Sequence, residues 1–187
     1  VKEEGRNDWA IYRTEMSTAV PAKPGFLQEL SQALERDQFE LWYQPTWHAE
    51  DKTIHGFEAL LRWRHPEQGV LLPNLFIPTL EQTGLIIPVG NWAIEAACRQ
   101  LHFWTEQGFS QWTLSLNLSP VQFEQQDIFP VVSSMLEKYN LSPSRLILEV
   151  TESTALKNLD RSIELLEAFN RAGITVSIDD FGTGYSN

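Results

Sequence analysis

The sequence predicts an α/β fold in which an antiparallel strand pair precedes a parallel sheet. Helix-like and strand-like segments alternate through the second half of the chain, a pattern typical of parallel strands joined by helices. Earlier, two apolar segments at residues 39–45 and 54–63 are separated by a connection too short for a helix, so we expect them to pair antiparallel. The 187 residues, of which 42% are hydrophobic and 21% charged, suit one ordinary globular domain.

Apolar periodicity predicts the individual elements. A helix is predicted after Pro24, because apolar residues recur there at helical spacing: Phe26, Leu27, Leu30, Ala33 and Leu34. Further helices are predicted at residues 91–107, 128–139 and 159–171. Strands that alternate with them are predicted at residues 113–119, 146–151 and 175–180. Trp42 and Trp63, on the antiparallel strands, are interpreted as packing residues in preference to platforms for base stacking, although the position of Trp63 beside Arg62 leaves the second role open.

The charge and cysteine content restrict the function classes. A formal net charge of −11 argues against DNA or RNA polymers as partners, because their backbones attract basic surfaces. A small phosphodiester stays compatible if divalent ions supply positive charge. The single cysteine, Cys98, cannot form an internal disulfide and lies in an apolar helical pattern, so it is predicted to be buried. The expected location is the cytoplasm.

Three predicted strands each carry an amide or a carboxylate near the carboxyl end. Because side chains alternate along a strand, each of these strands has an apolar face for the helices and a partly polar opposite face, which carries Asn117, Glu149 or Asp179. The carboxyl ends of parallel strands meet at one edge of a sheet, so these side chains could converge. Glu58 lies within an apolar strand, where a carboxylate is costly unless a cation receives it.

These oxygen donors suggest a metal site. Without a Cys or His ligand pattern, they favour Mg²⁺ or Mn²⁺ over Zn²⁺. Asp180, directly after Asp179, could reach a second ion, and paired divalent ions typically drive phosphodiester hydrolysis. The alternative is that these residues only cap strand ends or form turns, as Asp179 and Asp180 could do before Gly182 and Gly184.

Six segments, in the expected order, resemble the EAL domain family. They are Tyr43-Gln44-Pro45, the Glu58-Ala59-Leu60 signature within residues 56–66, residues 76–86, Asn117-Leu118-Ser119 with Gln122, Glu149-Val150-Thr151-Glu152, and residues 179–186 beginning with Asp179-Asp180. A single Glu-Ala-Leu would mean nothing, but six ordered segments are specific. The resemblance implies a TIM-like (β/α) barrel with an antiparallel first strand. It also implies hydrolysis of cyclic di-GMP to linear 5′-pGpG with two Mg²⁺ or Mn²⁺ ions, in bacterial second-messenger signalling.

The resemblance also implies residue roles. The ligands of the metal ions would be Glu58, Asn117, Glu149, Asp179 and Asp180. The catalytic residues would be Glu58, Asp179 and Asp180. Positions that contact the dinucleotide match Gln44, Leu61, Arg62 and Asp179. Glu152 would support the loop after the Asp-Asp strand without a catalytic role.

The expected domain organisation has three parts. Residues 1–16 resemble the end of a GGDEF domain, with a disordered leader as the alternative. Residues 17–36 are interpreted as a linker and connecting helix, which could mediate a homodimer or pack on its own domain. Residues 37–187 match the N-terminal part of an EAL domain, a partial barrel that lacks roughly the last three strands. Upstream segments could anchor the parent protein to the inner membrane.

In the EAL family, the pattern continues beyond the position that matches Asn187. That later part carries a Lys that helps to activate water, a Glu ligand of the second metal ion and a Gln that holds the nucleotide, and these 187 residues contain no match to the three. We therefore expect the parent protein to be an active phosphodiesterase and these 187 residues alone to be inactive. The main alternative is a catalytically inactive EAL domain that acts as a cyclic di-GMP receptor. Such domains often lose the signature Glu or the Asp pair, and both are present here. An interaction scaffold that binds no nucleotide is a third possibility.

Overall fold

A computed structural model describes residues 25–50 and 52–179 of the chain. In chain order its elements are α1 (Phe26–Ala33), β1 (Phe39–Trp47), β2 (Ile54–His65), β3 (Gly69–Leu71), α2 (Pro73–Thr83), α3 (Ile86–Glu106), β4 (Thr113–Asn117), α4 (Pro120–Gln125), α5 (Ile128–Lys138), β5 (Leu146–Thr151), α6 (Glu152–Lys157), α7 (Leu159–Arg171) and β6 (Thr175–Asp179). The predicted remnant at residues 1–16 lies outside the described residues.

One mixed sheet organises the chain, with strand order β1-β2-β4-β5-β6 and with β3 paired to β2. The strands β2, β4, β5 and β6 run parallel, whereas β1 pairs antiparallel with β2. The predicted α/β fold with an antiparallel first strand is therefore confirmed. Within residues 25–50 and 52–179, β1 and β6 are the two ends of this order and do not pair with each other.

Among the described residues, two apolar clusters hold the sheet and helices together. The larger lies between the sheet and helices α3, α5 and α7, because the apolar faces of β4 and β5 meet those helices. The smaller surrounds Trp63 and Phe76 and includes Leu30 and Ala33 of α1, so the apolar stripe of α1 packs on its own domain. None of the described helices combines the length and apolarity needed to cross a bilayer.

Several element boundaries differ from the predictions. Strand β5 and helix α7 have the predicted bounds, whereas α3 begins at Ile86 and not at residue 91. Proline is tolerated in the first turn of a helix, so Pro88 does not prevent this earlier start. The predicted strand 113–119 ends at Asn117, because Ser119 accepts a hydrogen bond from the Val121 N–H and begins α4. The sequence did not predict α2, α4, α6 or β3.

Strands β2 and β4 approach closely at Gly56. A Cβ atom at this position would lie 2.3 Å from Thr113 Oγ1 and 2.4 Å from the Thr113 carbonyl oxygen. Gly56 and Thr113 are register partners in the parallel pair. The absence of a side chain at Gly56 therefore allows the normal strand spacing here.

Cys98 lies on α3 and is fully buried, as predicted. Burial, with a smaller contribution from the nearby Glu95 carboxylate, raises the pKa of the Cys98 thiol to about 12. Because the thiolate is the reactive form, we expect the folded protein not to react with a thiol reagent at pH 8. The thiol should react fully once the protein is unfolded in guanidinium chloride. Rapid labelling of the folded protein, followed by mass spectrometry, would contradict this prediction.

Candidate functional site

The carboxyl ends of the parallel strands bring the predicted ligands together. Asn117 of β4 is the register partner of Glu149 of β5, and the Leu118 N–H donates to the Glu149 carbonyl oxygen at 2.8 Å. The side chain of Asn117 reaches the other way, where its Nδ2 donates to Glu58 Oε1 of β2 at 2.8 Å. Asp179, the last residue of β6, is the register partner of Thr151. Four neighbouring strands thus contribute to one site.

The carboxylates influence one another electrostatically. Burial is the largest effect on the pKa of Glu149 and raises it, and the negative charges of Glu58 and Asp179 raise it further. A hydrogen bond from Ser115 opposes this shift. Within the described residues, neither Glu58 nor Glu149 forms an ion pair with a basic side chain. Glu58 and Glu149 therefore carry negative charge that no described basic side chain neutralises through an ion pair.

The described side chains do not by themselves complete a metal centre. No group of three or more His, Cys, Asp or Glu residues in residues 25–50 and 52–179 is arranged to hold an ion. One predicted ligand, Asn117, is an amide, and another, Asp180, lies outside the described residues. The donor chemistry fits a hard divalent cation, because it consists of carboxylate and amide oxygens. The assignment of Glu58, Asn117, Glu149 and Asp179 to a metal stays a prediction.

The raised pKa of Glu149, caused mainly by burial, has a measurable consequence. Because its pKa is raised above the usual value of 4.5, the folded protein binds the proton more tightly than the unfolded chain. The free energy of unfolding should therefore fall as pH rises from 4.5 through the folded pKa. In EDTA, the variant Glu149→Gln should be more stable than the wild type at pH 7.5, with a smaller difference at pH 4. Urea denaturation at both pH values measures this; an equal difference at both would contradict it.

The predicted dinucleotide contacts lie along β1 and β2. Gln44 is the register partner of Glu58 and is exposed. Arg62 is half-buried, and its guanidinium carbon lies 5.3 Å from the centre of the Trp42 ring. Trp63 is fully buried, which confirms its interpretation as a packing residue. The same interpretation of Trp42 is wrong, because this side chain is 49% exposed. Alternation places Trp42 on the face opposite the apolar cluster.

A cavity of about 440 Å³ lies between β2, the carboxyl end of β4 and the helices α2 and α3. Asn117 and the predicted contact residue Leu61 both line it. At its edge, Ser119 Oγ donates to Glu81 Oε1 at 2.7 Å and so connects α4 to α2. No sequence pattern predicted a role for Glu81, although the matched segment 76–86 contains this residue. Glu152 begins α6 and is only 8% exposed, and its supporting role stays a prediction.

The fold and site define a class of protein: an α/β domain with an acidic site at the carboxyl ends of its parallel strands, beside an apolar cavity. Comparison with known families identifies the class: the family described as "EAL domain" matches residues 27–187. The chain belongs to the EAL domain family. The predicted resemblance is therefore confirmed.

Curated relatives include proteins named as enzymes of cyclic di-GMP. The bifunctional diguanylate cyclase/cyclic di-GMP phosphodiesterase MucR of Pseudomonas aeruginosa is 43% identical over 186 residues, covering 100% of this chain and 27% of the relative. The cyclic di-GMP phosphodiesterase NbdA of the same species is 37% identical over 183 residues, 98% of this chain and 23% of the relative. PdeR of Escherichia coli, a cyclic di-GMP phosphodiesterase, is 35% identical over 188 residues, covering 100% of this chain and 28% of the relative. The chain thus spans about a quarter of these relatives' length.

Solved structures have the same fold. The c-di-GMP complex of the PaMucR phosphodiesterase has a TM-score of 0.83 at 46% identity, over 86% of this chain and 65% of that one. The EAL enzyme Bd1971, in its form with cAMP and cyclic-di-GMP bound, has a TM-score of 0.81 at 32% identity. This match covers 92% of this chain and 48% of the Bd1971 chain. These similarities confirm the mixed α/β fold class of TIM-like EAL domains.

Proposed function

We propose that this chain contributes to the catalytic centre of a phosphodiesterase that hydrolyses cyclic di-GMP to linear 5′-pGpG with two Mg²⁺ or Mn²⁺ ions. The observation that supports it most is the grouping of Glu58, Asn117, Glu149 and Asp179 on four neighbouring strands of the sheet. Repelling, partly buried carboxylates favour a bound divalent cation. The names of MucR, NbdA and PdeR support cyclic di-GMP as the substrate.

In the proposed mechanism, side-chain oxygens would hold two divalent ions. Glu58, Asn117, Glu149 and Asp179 would bind the first, and Asp179 with Asp180 the second. Bound divalent ions would favour deprotonation of water and stabilise charge on the leaving oxygen. The water oxygen forms a bond to phosphorus while the bond from phosphorus to the ribose 3′-oxygen breaks. The 3′-oxygen gains a proton, which leaves a 5′-phosphate on the linear product.

Other residues would bind the dinucleotide. Gln44 and Leu61 would contact it, and Arg62 would donate two parallel hydrogen bonds to a phosphate through its planar guanidinium. The almost completely buried Glu152 would hold the loop that follows the Asp179-Asp180 pair.

The parent protein would carry further parts. The name of MucR, a bifunctional diguanylate cyclase and phosphodiesterase, supports an upstream GGDEF-like domain in the same chain. A homodimer, a cytoplasmic location and an upstream anchor in the inner membrane belong to the same proposal.

The test is hydrolysis of cyclic di-GMP by the full-length protein, with the product identified by mass spectrometry. We expect 5′-pGpG with Mg²⁺ or Mn²⁺ and none with EDTA. Binding of cyclic di-GMP without turnover would indicate the receptor alternative. A melting temperature that cyclic di-GMP does not raise would indicate a scaffold. The 187-residue chain alone should form no pGpG, and turnover by it would contradict that part of the proposal.

A further inference from the structure

Two arginines lie on the same face of β2 but differ in their partners. Arg64 donates to Glu40 Oε2 through Nη2 at 2.5 Å and through Nε at 3.1 Å, so an acidic residue of β1 neutralises it. Arg62 forms no ion pair with a carboxylate within residues 25–50 and 52–179, and its Nη1 donates to the Leu61 carbonyl oxygen at 2.9 Å. Its Nε is buried and has no hydrogen-bond partner in the same residues. Arg62 therefore keeps a charge that an anion can use.

Trp42 provides the surface on which this guanidinium rests. The Arg62 guanidinium carbon lies 5.3 Å from the Trp42 ring centre, within the distance at which a cation is attracted to an aromatic face. The ring is itself fixed, because Trp42 Nε1 donates to Glu40 Oε1 at 2.8 Å. That bond is the largest cause that lowers the pKa of Glu40, and the bond from Arg64 adds to it. Glu40 thus remains an anion that connects Arg64 to the indole.

The position of Trp42 along β1 relates it to the site. Gln44 lies two residues further on the same face, and its register partner is Glu58. Glu40 is the register partner of Arg62. Trp42 therefore lies between two residues that are predicted to contact the dinucleotide. Packing in the apolar core does not explain this tryptophan, since 49% of it is exposed.

We propose that Trp42 is a positioning residue of this site: its indole, held by Glu40, supports the Arg62 guanidinium and orients it towards a phosphate of the cyclic dinucleotide. The inference rests on the proposed function. Arginine side chains lose rotational freedom when they bind an anion. A guanidinium already held against an aromatic ring loses less of it, so the affinity for the anion increases.

The test uses the full-length protein and three substitutions. Trp42→Leu removes the aromatic face, Trp42→Phe retains a face but loses the N–H, and Trp47→Leu is the matched control on the same strand, 59% exposed at the other end. Calorimetric titration with cyclic di-GMP in EDTA, where no turnover is expected, gives the Kd, and initial rates in Mg²⁺-containing buffer give KM and kcat. We expect Trp42→Leu to raise Kd and KM about fivefold, with kcat changed less. Trp42→Phe should have a smaller effect and Trp47→Leu none.

A double-mutant cycle separates positioning from direct contact. If Trp42 acts through Arg62, Trp42→Leu should have no further effect on Kd in an Arg62→Ala background. Additive effects would mean that Trp42 contacts the nucleotide itself, and they would overturn the inference. Equal Kd values for Trp42→Leu and the wild type would overturn it while leaving the proposed function intact. A wild type that binds no cyclic di-GMP would overturn both.

Discussion

Replacing Glu58 with glutamine in the full-length protein is expected to lower kcat/KM for cyclic di-GMP at least about 100-fold, since losing even a hydrogen-bonded partner of a metal ligand costs about 10- to 100-fold. Glutamine preserves the size of the side chain and can still accept the hydrogen bond from Asn117 Nδ2. It removes the negative charge that would attract the ion. Turnover measured across a range of Mn²⁺ concentrations tests this, and extra metal should restore activity only partly.

The matched control is Glu67→Gln. Glu67 is exposed and lies two residues after the end of β2, so this variant makes the same chemical change at a position outside the site. We expect the kcat/KM of Glu67→Gln to equal that of the wild type. If Glu58→Gln retained wild-type turnover with an unchanged Mn²⁺ requirement, Glu58 would not be a metal ligand.

Replacing Trp63 with alanine is expected to lower the free energy of unfolding by about 3–5 kcal/mol. This side chain is fully buried, and its ring lies 5.4 Å from that of Phe26 and 5.9 Å from that of Phe76, measured between ring centres. Its Nε1 also donates to Gln38 Oε1 at 3.1 Å. Alanine would leave a cavity where three elements, α1, β2 and α2, meet.

Urea denaturation measures this change, with Trp47→Ala as the control. Trp47 is 59% exposed, so its loss should change stability by only about 0.5 kcal/mol. Comparable losses for the two variants would show that the cluster around Trp63 contributes little. The comparison also separates stability from binding, because Trp63 is adjacent in sequence to Arg62 but points to the opposite face of β2.

Much of the fold could be predicted from periodicity, where one face of an element is clearly apolar. In β5, Leu146, Leu148 and Val150 are buried while Glu149 faces the site, and both bounds were predicted. Helix α2 was not predicted, because Pro78 lies inside it and a proline within a segment argues against a helix there. The six-residue helices α4 and α6 are too short to show a period.

The candidate site was predictable to a similar degree. Strand alternation and the position of each residue near a carboxyl end predicted that Asn117, Glu149 and Asp179 lie at one edge of the sheet. In the structure, Asn117 is the register partner of Glu149, and the charge of Asp179 acts on the pKa of Glu149. Their roles at the site stay a prediction. Alternation did not identify the role of Trp42, because a large aromatic residue in a strand predicts burial equally on either face. Its exposure depends on which face the helices cover, and this is a property of the tertiary structure. The ion pair of Glu40 with Arg64 depends in the same way on the register of two strands.

The close approach at Gly56 makes this position intolerant of variation. Any side chain there would collide with the Thr113 backbone and separate β2 from β4. Glu58 and Asn117 lie on those two strands, so the 2.8 Å hydrogen bond between them would be lost with the spacing. In a saturation library screened for signalling output, codon 56 should therefore show the mutational profile of an active-site residue. No atom of this glycine needs to reach a substrate for that outcome.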